Sequence, residues 1–371
     1  MGKPNRTVNA GVHGAAGIEF QKHCALYLLF EEYDNLNDTK YFICIEHKDD
    51  FLFCYQDKEG LVHSIDCYQA KKSSTPWTLS QELLGLVGQM TGIGLELHED
   101  IIPKTEKYEH KLIFITNNSI TLNNGSKKGD VKKTVIINES NNQKGFIDLD
   151  KEISNHIKTK VESILREGTR GVEGLEELEK ISMKYIDIPK TSKGQKVSLI
   201  GKCNIIFGDK ISDHEAAVDT MLLLFRDVEI TLNQGNISKL MDESKRIDCQ
   251  VIKNGFNLLT TKKMAFNLWR QEKNRICKKL NIPISKQASF KLDFENSFDR
   301  FKDLEQREHI KILDFVKKNK ELFDVFTDEI ECIQELCKRC EKTLSSQLSE
   351  LSVKAAIYAA YIEEREVGYG D

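Results

Sequence analysis

Residues 46–71 read EHKDDFLFCYQDKEGLVHSIDCYQAK, and this stretch decides the fold. Asp50–Tyr55 is a short aromatic run, Asp57-Lys58-Glu59-Gly60 is a turn, and Leu61–Lys72 is a second extended run, the pattern of a β-hairpin. With a four-residue loop at 57–60, position 56 pairs with 61 and position 50 faces position 67. Side chains alternate along a strand. Asp50, Cys67, Gln69 and Lys71 then project from one face, and Asp49, Asp66 and Tyr68 from the other. A slip of one residue would exchange the two sets.

Outward from the hairpin, Tyr41–Glu46 is another aromatic and β-branched run. Ahead of it Ile18, Phe20, Cys24 and Leu28 carry a helical spacing that follows the small residues Gly14–Gly17 and runs to about Tyr33. Beyond the hairpin, Ser73-Ser74-Thr75-Pro76 breaks the chain, and Thr78 with Gln81 has the form of a capping box for a helix through His98. Lys111–Thr116 reads as a buried strand. The order helix, three strands, helix, strand describes an α/β domain. Asn117–Ser126 is a loop and Val131–Asn138 a further strand candidate. Helices are expected over Phe146–Arg166, Leu175–Tyr185 and Asp213–Leu232, with a last strand at Val197–Phe207. From Gln234 on no strand is expected, and Lys262–Leu280, Ile310–Lys318 and Asp328–Glu363 are helical. The division expected is 1–233 for the α/β domain and 234–371 for a mainly α-helical domain.

Composition bounds the function. The 371 residues are 40% hydrophobic, enough to bury a core, which excludes a disordered or low-complexity chain. No run of about 18 uncharged apolar residues is present, and the opening Met-Gly-Lys-Pro-Asn-Arg leads to no apolar segment. Neither a membrane span nor a secretory signal is expected, and ten cysteines without regular spacing read as reduced thiols in a cytoplasm. Lys and Arg number 54 against 58 Asp and Glu, a net charge of −4. Any contact with nucleic-acid phosphates therefore has to be a local basic patch rather than a property of the whole surface.

An Asp at a strand start with x-x-Lys on the neighbouring strand is an arrangement suited to metal-dependent phosphodiester hydrolysis. A hard divalent cation polarises the phosphate and lowers the pKa of an attacking water. Asp50 offers a carboxylate, Gln69 an amide oxygen and Ala70 its backbone carbonyl, while Lys71 stabilises hydroxide and developing negative charge. Glu19 on the first helix, or Glu46 on the preceding strand, is placed to complete the ligand set.

The motifs Gly17-Ile18-Glu19-Phe20-Gln21 with Ala25-Leu26, then Glu46-x-x-Asp49-Asp50, then Tyr68-Gln69-x-Lys71 resemble one family. It is the double-stranded DNA endonuclease domain of bacterial anti-phage effectors, within the PD-(D/E)xK superfamily in its Q-x-K variant. Such domains occur fused to a SAVED cyclic-oligonucleotide sensor in CBASS systems and as the nuclease subunit of Lamassu systems. The resemblance implies a restriction-endonuclease-like core, Mg²⁺ or Mn²⁺ as cofactor, double-stranded DNA as substrate, and Asp50, Gln69 and Lys71 as the catalytic set. Glu46, Asp49 and Gln21 fall on associated motif positions. Gln at 69 removes one formal charge from the superfamily pattern and favours a single metal, or weaker metal affinity, over two tightly held ions. The short helical C-terminal part lacks the alternating pattern of a SAVED sensor and looks more like the Lamassu subunit. That resemblance implies an SMC-like ATPase and a small accessory subunit as partners, with self-association of the released nuclease. The alternatives are a CBASS-type effector and a non-catalytic assembly module on a decayed nuclease fold.

Other features are read more plainly. Lys72, Ser73 and Ser74 are candidates for contact with the DNA backbone, and Trp77 is more simply a core cap. The basic run containing Lys262, Lys263, Arg270, Lys273, Arg275, Lys278 and Lys279 has the form of a solvated helix face, with Lys262, Arg270 and Arg275 as DNA-binding candidates. Lys127, Lys128, Lys132 and Lys133 form a smaller basic group. Cys332, Cys337 and Cys340 have C-x4-C-x2-C spacing, but in a helical run without a fourth ligand they read as buried small hydrophobes. His13 and His23 flank the first helix in structural roles.

Overall fold

The computed structural model describes residues 10–47, 49–125, 131–167, 173–211, 213–229, 240–301 and 306–366; side chains at 10–16, 47, 258, 261–268, 270 and 271 are outside the description. The chain forms two compact units, one of residues 1–206 with 214–252 and one of residues 207–213 with 253–371.

In the first unit the elements run α1 (Ala10–Glu31), α2 (Tyr33–Leu36), β1 (Lys40–His47), β2 (Asp49–Gln56), β3 (Val62–Lys71), β4 (Trp77–Thr78), α3 (Gln81–Glu99) and β5 (Lys104–Thr116). They continue as β6 (Ile120–Asn123), β7 (Thr134–Ile137), β8 (Gln143–Gly145), α4 (Lys151–Glu167), β9 (Ile181–Tyr185), α5 (Ser192–Phe207), α6 (His214–Glu229) and β10 (Arg246–Asp248). Seven strands form one mixed sheet in the order β10-β1-β2-β3-β5-β9-β8, parallel only at β3–β5 and β5–β9. β4, β6 and β7 make a small separate sheet.

β2 is buried on both faces from Asp50 to Cys54, so its sequence is continuously apolar instead of alternating. On one face Leu52, Cys54, Cys67, Leu112 and Phe114 pack with Leu83, Val87 and Met90 of α3 and Ile157 and Val161 of α4. The other face carries Phe51, Phe53 and Tyr68, whose rings lie 4.7–6.2 Å apart, under α1 with its buried Phe20, Cys24 and Leu28.

The hairpin turn is one residue longer than the spacing suggests. Asp57 N–H donates to Leu61 O and Asp57 Oδ1 accepts from the amides of Glu59 and Leu61, with Gly60 at φ +89°. A bulge at Tyr55/Gln56 adds a second residue, so Leu52 rather than Asp50 sits opposite Cys67. The error is two residues, which preserves the side-chain parity.

Several local expectations give way. Val197–Phe207 is not a strand but most of α5: Gln195, Leu199, Cys203 and Phe207 recur every four residues on its buried side, a helical period that outweighs the β-branched content. Leu175–Tyr185 is a 3-10 turn over Leu175–Lys180 followed by β9, where Ile181 and Met183 alternate inward against β5. The cap of α3 is Ser80, whose hydroxyl accepts from Leu83 N–H, while Thr78 belongs to β4. β10, too short to show a pattern, pairs with β1 and lays the Arg246 guanidinium 4.3 Å from the Phe42 ring.

The second unit takes all but the first turn of α7 (Cys249–Lys279), then α8 (Gln287–Arg300), α9 (Arg307–Lys318), α10 (Glu329–Thr343) and α11 (Glu350–Glu366). Residues 355–362 of α11, AAIYAAYI, are all buried; Tyr358 stacks on Phe294 of α8 at 4.6 Å. Cys332, Cys337 and Cys340 are buried in this core, where burial pushes the Cys337 thiol up to about 12.

Candidate active site

The β2–β3 ladder ends at Phe51↔Tyr68, and the chemistry-bearing residues lie just past that end. Asp50, at 9% exposure, is enclosed by donors: Gln21 Nε2 on Oδ1 at 2.6 Å, and Gln69 Nε2 at 2.5 Å and the Ala70 amide at 2.7 Å on Oδ2. Lys71 Nζ stands 3.6 Å from the same oxygen. Three elements therefore converge here, α1 through Gln21, β2 through Asp50 and β3 through Gln69–Lys71. Burial raises the Asp50 carboxyl above the usual range, and Lys71, the Ala70 amide and Gln69 oppose it.

Asp49 departs from the expected face. Its Oδ2 lies 4.0 Å from Cys67 Sγ, on the side assigned above to Cys67, because strand alternation holds only inside the ladder and Asp49 is beyond its end. Burial first, and the neighbouring Asp50 charge second, push its carboxyl up to about 8. Glu46, exposed at the end of β1 with φ +52°, is also raised by burial of its carboxyl and by Asp50, and takes a hydrogen bond from Gln21. Gln21 thus serves two acids through its amide nitrogen. Its Oε1 is buried and meets no donor among the described residues.

The remaining sequence candidates are distributed differently. Glu19 is exposed on α1 and its charge acts on His23; no described contact links it to Asp50. His23 is buried and its Nδ1 lies 2.7 Å from Gln195 Oε1, while Gln195 Nε2 donates to Pro189 O. That second bond orients the amide, so His23 Nδ1 carries the proton. Lys72 is exposed immediately after the site. Ser73 donates its amide to Asn117 Oδ1 and its hydroxyl to Thr75 O, and Ser74 O accepts from Lys190 Nζ at 3.0 Å, so the loop is anchored. Trp77 is core, its indole donating to Thr116 Oγ1 and its ring edge-on to Phe114. Arg275, in the helical unit, is paired with Glu272 and Asp328. The side chains of Lys262 and Arg270 and all of Lys127 and Lys128 lie outside the described residues; Lys133 pairs with Asp150 and Glu152.

Spacing alone does not reveal Gln195, Asn117 or Lys190, which reach the site's surroundings from far along the chain. Among the described residues no three His, Cys, Asp or Glu side chains are gathered closely enough to hold an ion by themselves. The donor chemistry nonetheless suits a hard cation. Two adjacent carboxyls are raised by burial, Asp49 further by the Asp50 charge, a third is near, and amide oxygens, including the unsatisfied Gln21 Oε1, are at hand.

Among the described residues no helix is long and apolar enough to cross a membrane. No curated protein and no solved structure is significantly similar to the chain. Residues 9–188, just under half of the chain and the part that carries the whole site, match the model of the family described as Cap4, dsDNA endonuclease domain, which supports a DNA endonuclease of anti-phage defence.

Proposed function

We propose that the protein is a metal-dependent endonuclease that cleaves double-stranded DNA as an effector of bacterial anti-phage defence, on a PD-(D/E)xK core of the Q-x-K kind. The observation that carries this reading is the enclosed Asp50 carboxylate, with Lys71 beside it and Gln69 and Gln21 holding both its oxygens. Asp50, Asp49, Glu46 and the amide oxygens of Gln69 and Gln21 would hold Mg²⁺ or Mn²⁺. The ion when bound supplies Lewis-acid activation of the scissile phosphate and of water.

The chain's own residues do the rest. Gln69 and the Ala70 amide fix the rotamer of Asp50, which keeps the carboxylate aimed without thermal search. Lys71 brings a positive charge to the position where hydroxide and the extra phosphoryl charge develop. Gln21 ties α1 to the strand ends and spans Asp50 and Glu46. Lys72, first residue of the anchored loop, offers its charge to the DNA backbone. In the Lamassu-like arrangement favoured by the helical second unit, an SMC-like ATPase and a small accessory subunit restrain the nuclease, and released copies self-associate to cut.

Plasmid cleavage by the purified chain with Mg²⁺, Mn²⁺ or EDTA, over a range of protein concentrations, tests the reading. Metal-dependent loss of supercoiled DNA that falls at least about a hundredfold in Lys71→Ala is expected. Cleavage that survives both EDTA and the substitution would refute the assigned site. Absence of cleavage at every concentration, with no Lys71-dependent toxicity in cells, would leave the non-catalytic assembly module.

A further inference from the structure

The face of the sheet that α1 crosses is not covered along its whole length. Beyond the end of α1, a cleft of about 540 Å³ opens over β2, β3, β5 and β9, with Phe53, Tyr55 and Tyr68 as its apolar lining. In its floor stands Asp66, directly opposite Phe53 on β2 and Lys111 on β5. The Asp66 side chain is only 17% exposed, yet its contacts are long: the Tyr55 hydroxyl at 3.5 Å and Lys111 Nζ at 4.0 Å. Distances of that size make weak hydrogen bonds, and a half-buried carboxylate without close donors is a costly arrangement. Burial accordingly raises its carboxyl. A second cleft of about 380 Å³ shares Asp66, Lys111 and His63 and adds Lys107, Glu109 and Thr105, whose Oγ1 is buried without a partner among the described residues. The Asp50 site lies past the Phe51↔Tyr68 end of the ladder and does not use the Asp66, Lys111 or Lys107 side chains.

We propose that this double cleft binds the guanine base of a nucleotide, with Asp66 and Lys111 reading its Watson–Crick edge and Lys107 facing its phosphate. The edge of guanine presents one acceptor, O6, beside two donors, N1–H and N2–H. A carboxylate takes the two donors as a bidentate pair, and an ammonium on the adjacent strand supplies the acceptor's partner. Adenine offers a single donor there and leaves one Asp66 oxygen unmet, so a site with this pair discriminates against it. Phe53 and Tyr68 are buried beneath the cleft, and Tyr55, which is half-buried, supplies the apolar contact a base seeks; the volume is within the usual range for nucleotide-sized ligands. Two cations, Lys111 and Lys184, line the cleft with two acids, Asp66 and Glu32, so its charge is balanced and suits a polar base edge better than a simple cation.

Titration calorimetry of the full chain with GMP, AMP and XMP tests this, and its readout is independent of DNA cleavage. GMP should bind saturably and at least tenfold more tightly than AMP. Asp66→Asn should lose at least tenfold for GMP and prefer XMP, whose 2-oxo group accepts from the new amide while N1–H still donates; a merely structural role for Asp66 would not reverse the preference. Lys111→Ala, at an exposed side chain that the fold does not need, should weaken GMP several-fold and decides the matter if Asp66→Asn fails to fold. Lys71→Ala should bind GMP as the unaltered chain does. A single-stranded oligonucleotide with one guanine separates the two sources of the base: stronger, Asp66-dependent competition marks an extruded DNA base, and its absence marks a free nucleotide. No saturable GMP binding, equal affinity for AMP, or an unchanged Asp66→Asn titration would overturn the proposal.

Discussion

Asp49 in the sheet unit and Asp328 in the helical unit are the same chemical group driven in opposite directions. Burial and a neighbouring carboxylate push Asp49 up to about 8. Asp328, half-buried at the start of α10, is held at about 2 by hydrogen bonds from Lys279, Arg275 and the amides of Ile330 and Glu331, which outweigh a larger but opposed desolvation. One unit therefore holds an acid in its neutral form by burying it, and the other keeps an acid charged where it braces helices. Destabilising placement of ionisable groups is a mark of a functional site, whereas exposed pairs are ordinary features of a stable helical surface.

The largest break in that contrast should come from Asp50→Ala. Four donors converge on its carboxylate, and their loss of a common acceptor removes both the proposed metal ligand and the orientation of Gln69. Cleavage should fall by at least about a hundredfold, read in the plasmid assay, while the far-UV spectrum of the helical unit stays unchanged. Substitution of Asp328 should leave cleavage by the nuclease unit alone. A loss of cleavage in both variants would erase the distinction between the units.

Next in size is the pH dependence of Asp49. An acid whose folded pKa lies above its unfolded value binds more protons when folded, so its contribution to stability is complete below about pH 4 and is lost as pH rises toward about 8. Asp49→Asn should therefore melt several degrees above the unaltered chain at pH 8.5 and at the same temperature at pH 4, by differential scanning calorimetry. Mg²⁺ should raise the melting temperature of the unaltered chain most at the alkaline end, because ion binding requires the deprotonated carboxyl. A pH-independent difference would show that Asp49 is not held protonated in the fold.

Much of this was legible in residues 46–71. Alternation suggests grouping Asp50, Gln69 and Lys71, and the turn error is even inside the ladder, one residue from the longer loop at 57–61 and one from the bulge at Tyr55/Gln56. Past the ladder's end it is direct contact, Gln69 and Lys71 reaching one Asp50 oxygen, that brings the three together. Asp49 was misread for the complementary reason, since parity has no force beyond Phe51↔Tyr68, where the site begins. Val197–Phe207 misled because β-branched content was weighted above the four-residue spacing of Gln195, Leu199 and Cys203. β10 was invisible because three residues cannot carry a period. Gln195, Asn117 and Lys190 act across long sequence separations through single hydrogen bonds, and no local pattern announces such partners. Arg275 illustrates the converse, a basic residue whose acidic partner at 328 can be found only in three dimensions.

The smallest effect concerns that partner. Asp328 caps α10 and joins Arg275 and Lys279 of α7 within the helical unit. With a folded pKa below the unfolded one, its contribution is present above about pH 4 and is lost as pH falls toward about 2, the reverse of Asp49. Asp328→Ala should lower the melting temperature by a few degrees at pH 7, chiefly through the lost cap, and by less at pH 2. Asp328→Asn retains the capping oxygen but not the charge, so its smaller deficit should shrink further in 1 M NaCl, where exposed ion pairs are screened. If Asp328→Asn is as damaging as Asp328→Ala at every salt concentration, the charge and not the cap holds α10 in place, and the exposed pairs of the helical unit are worth more than surface pairs ordinarily are.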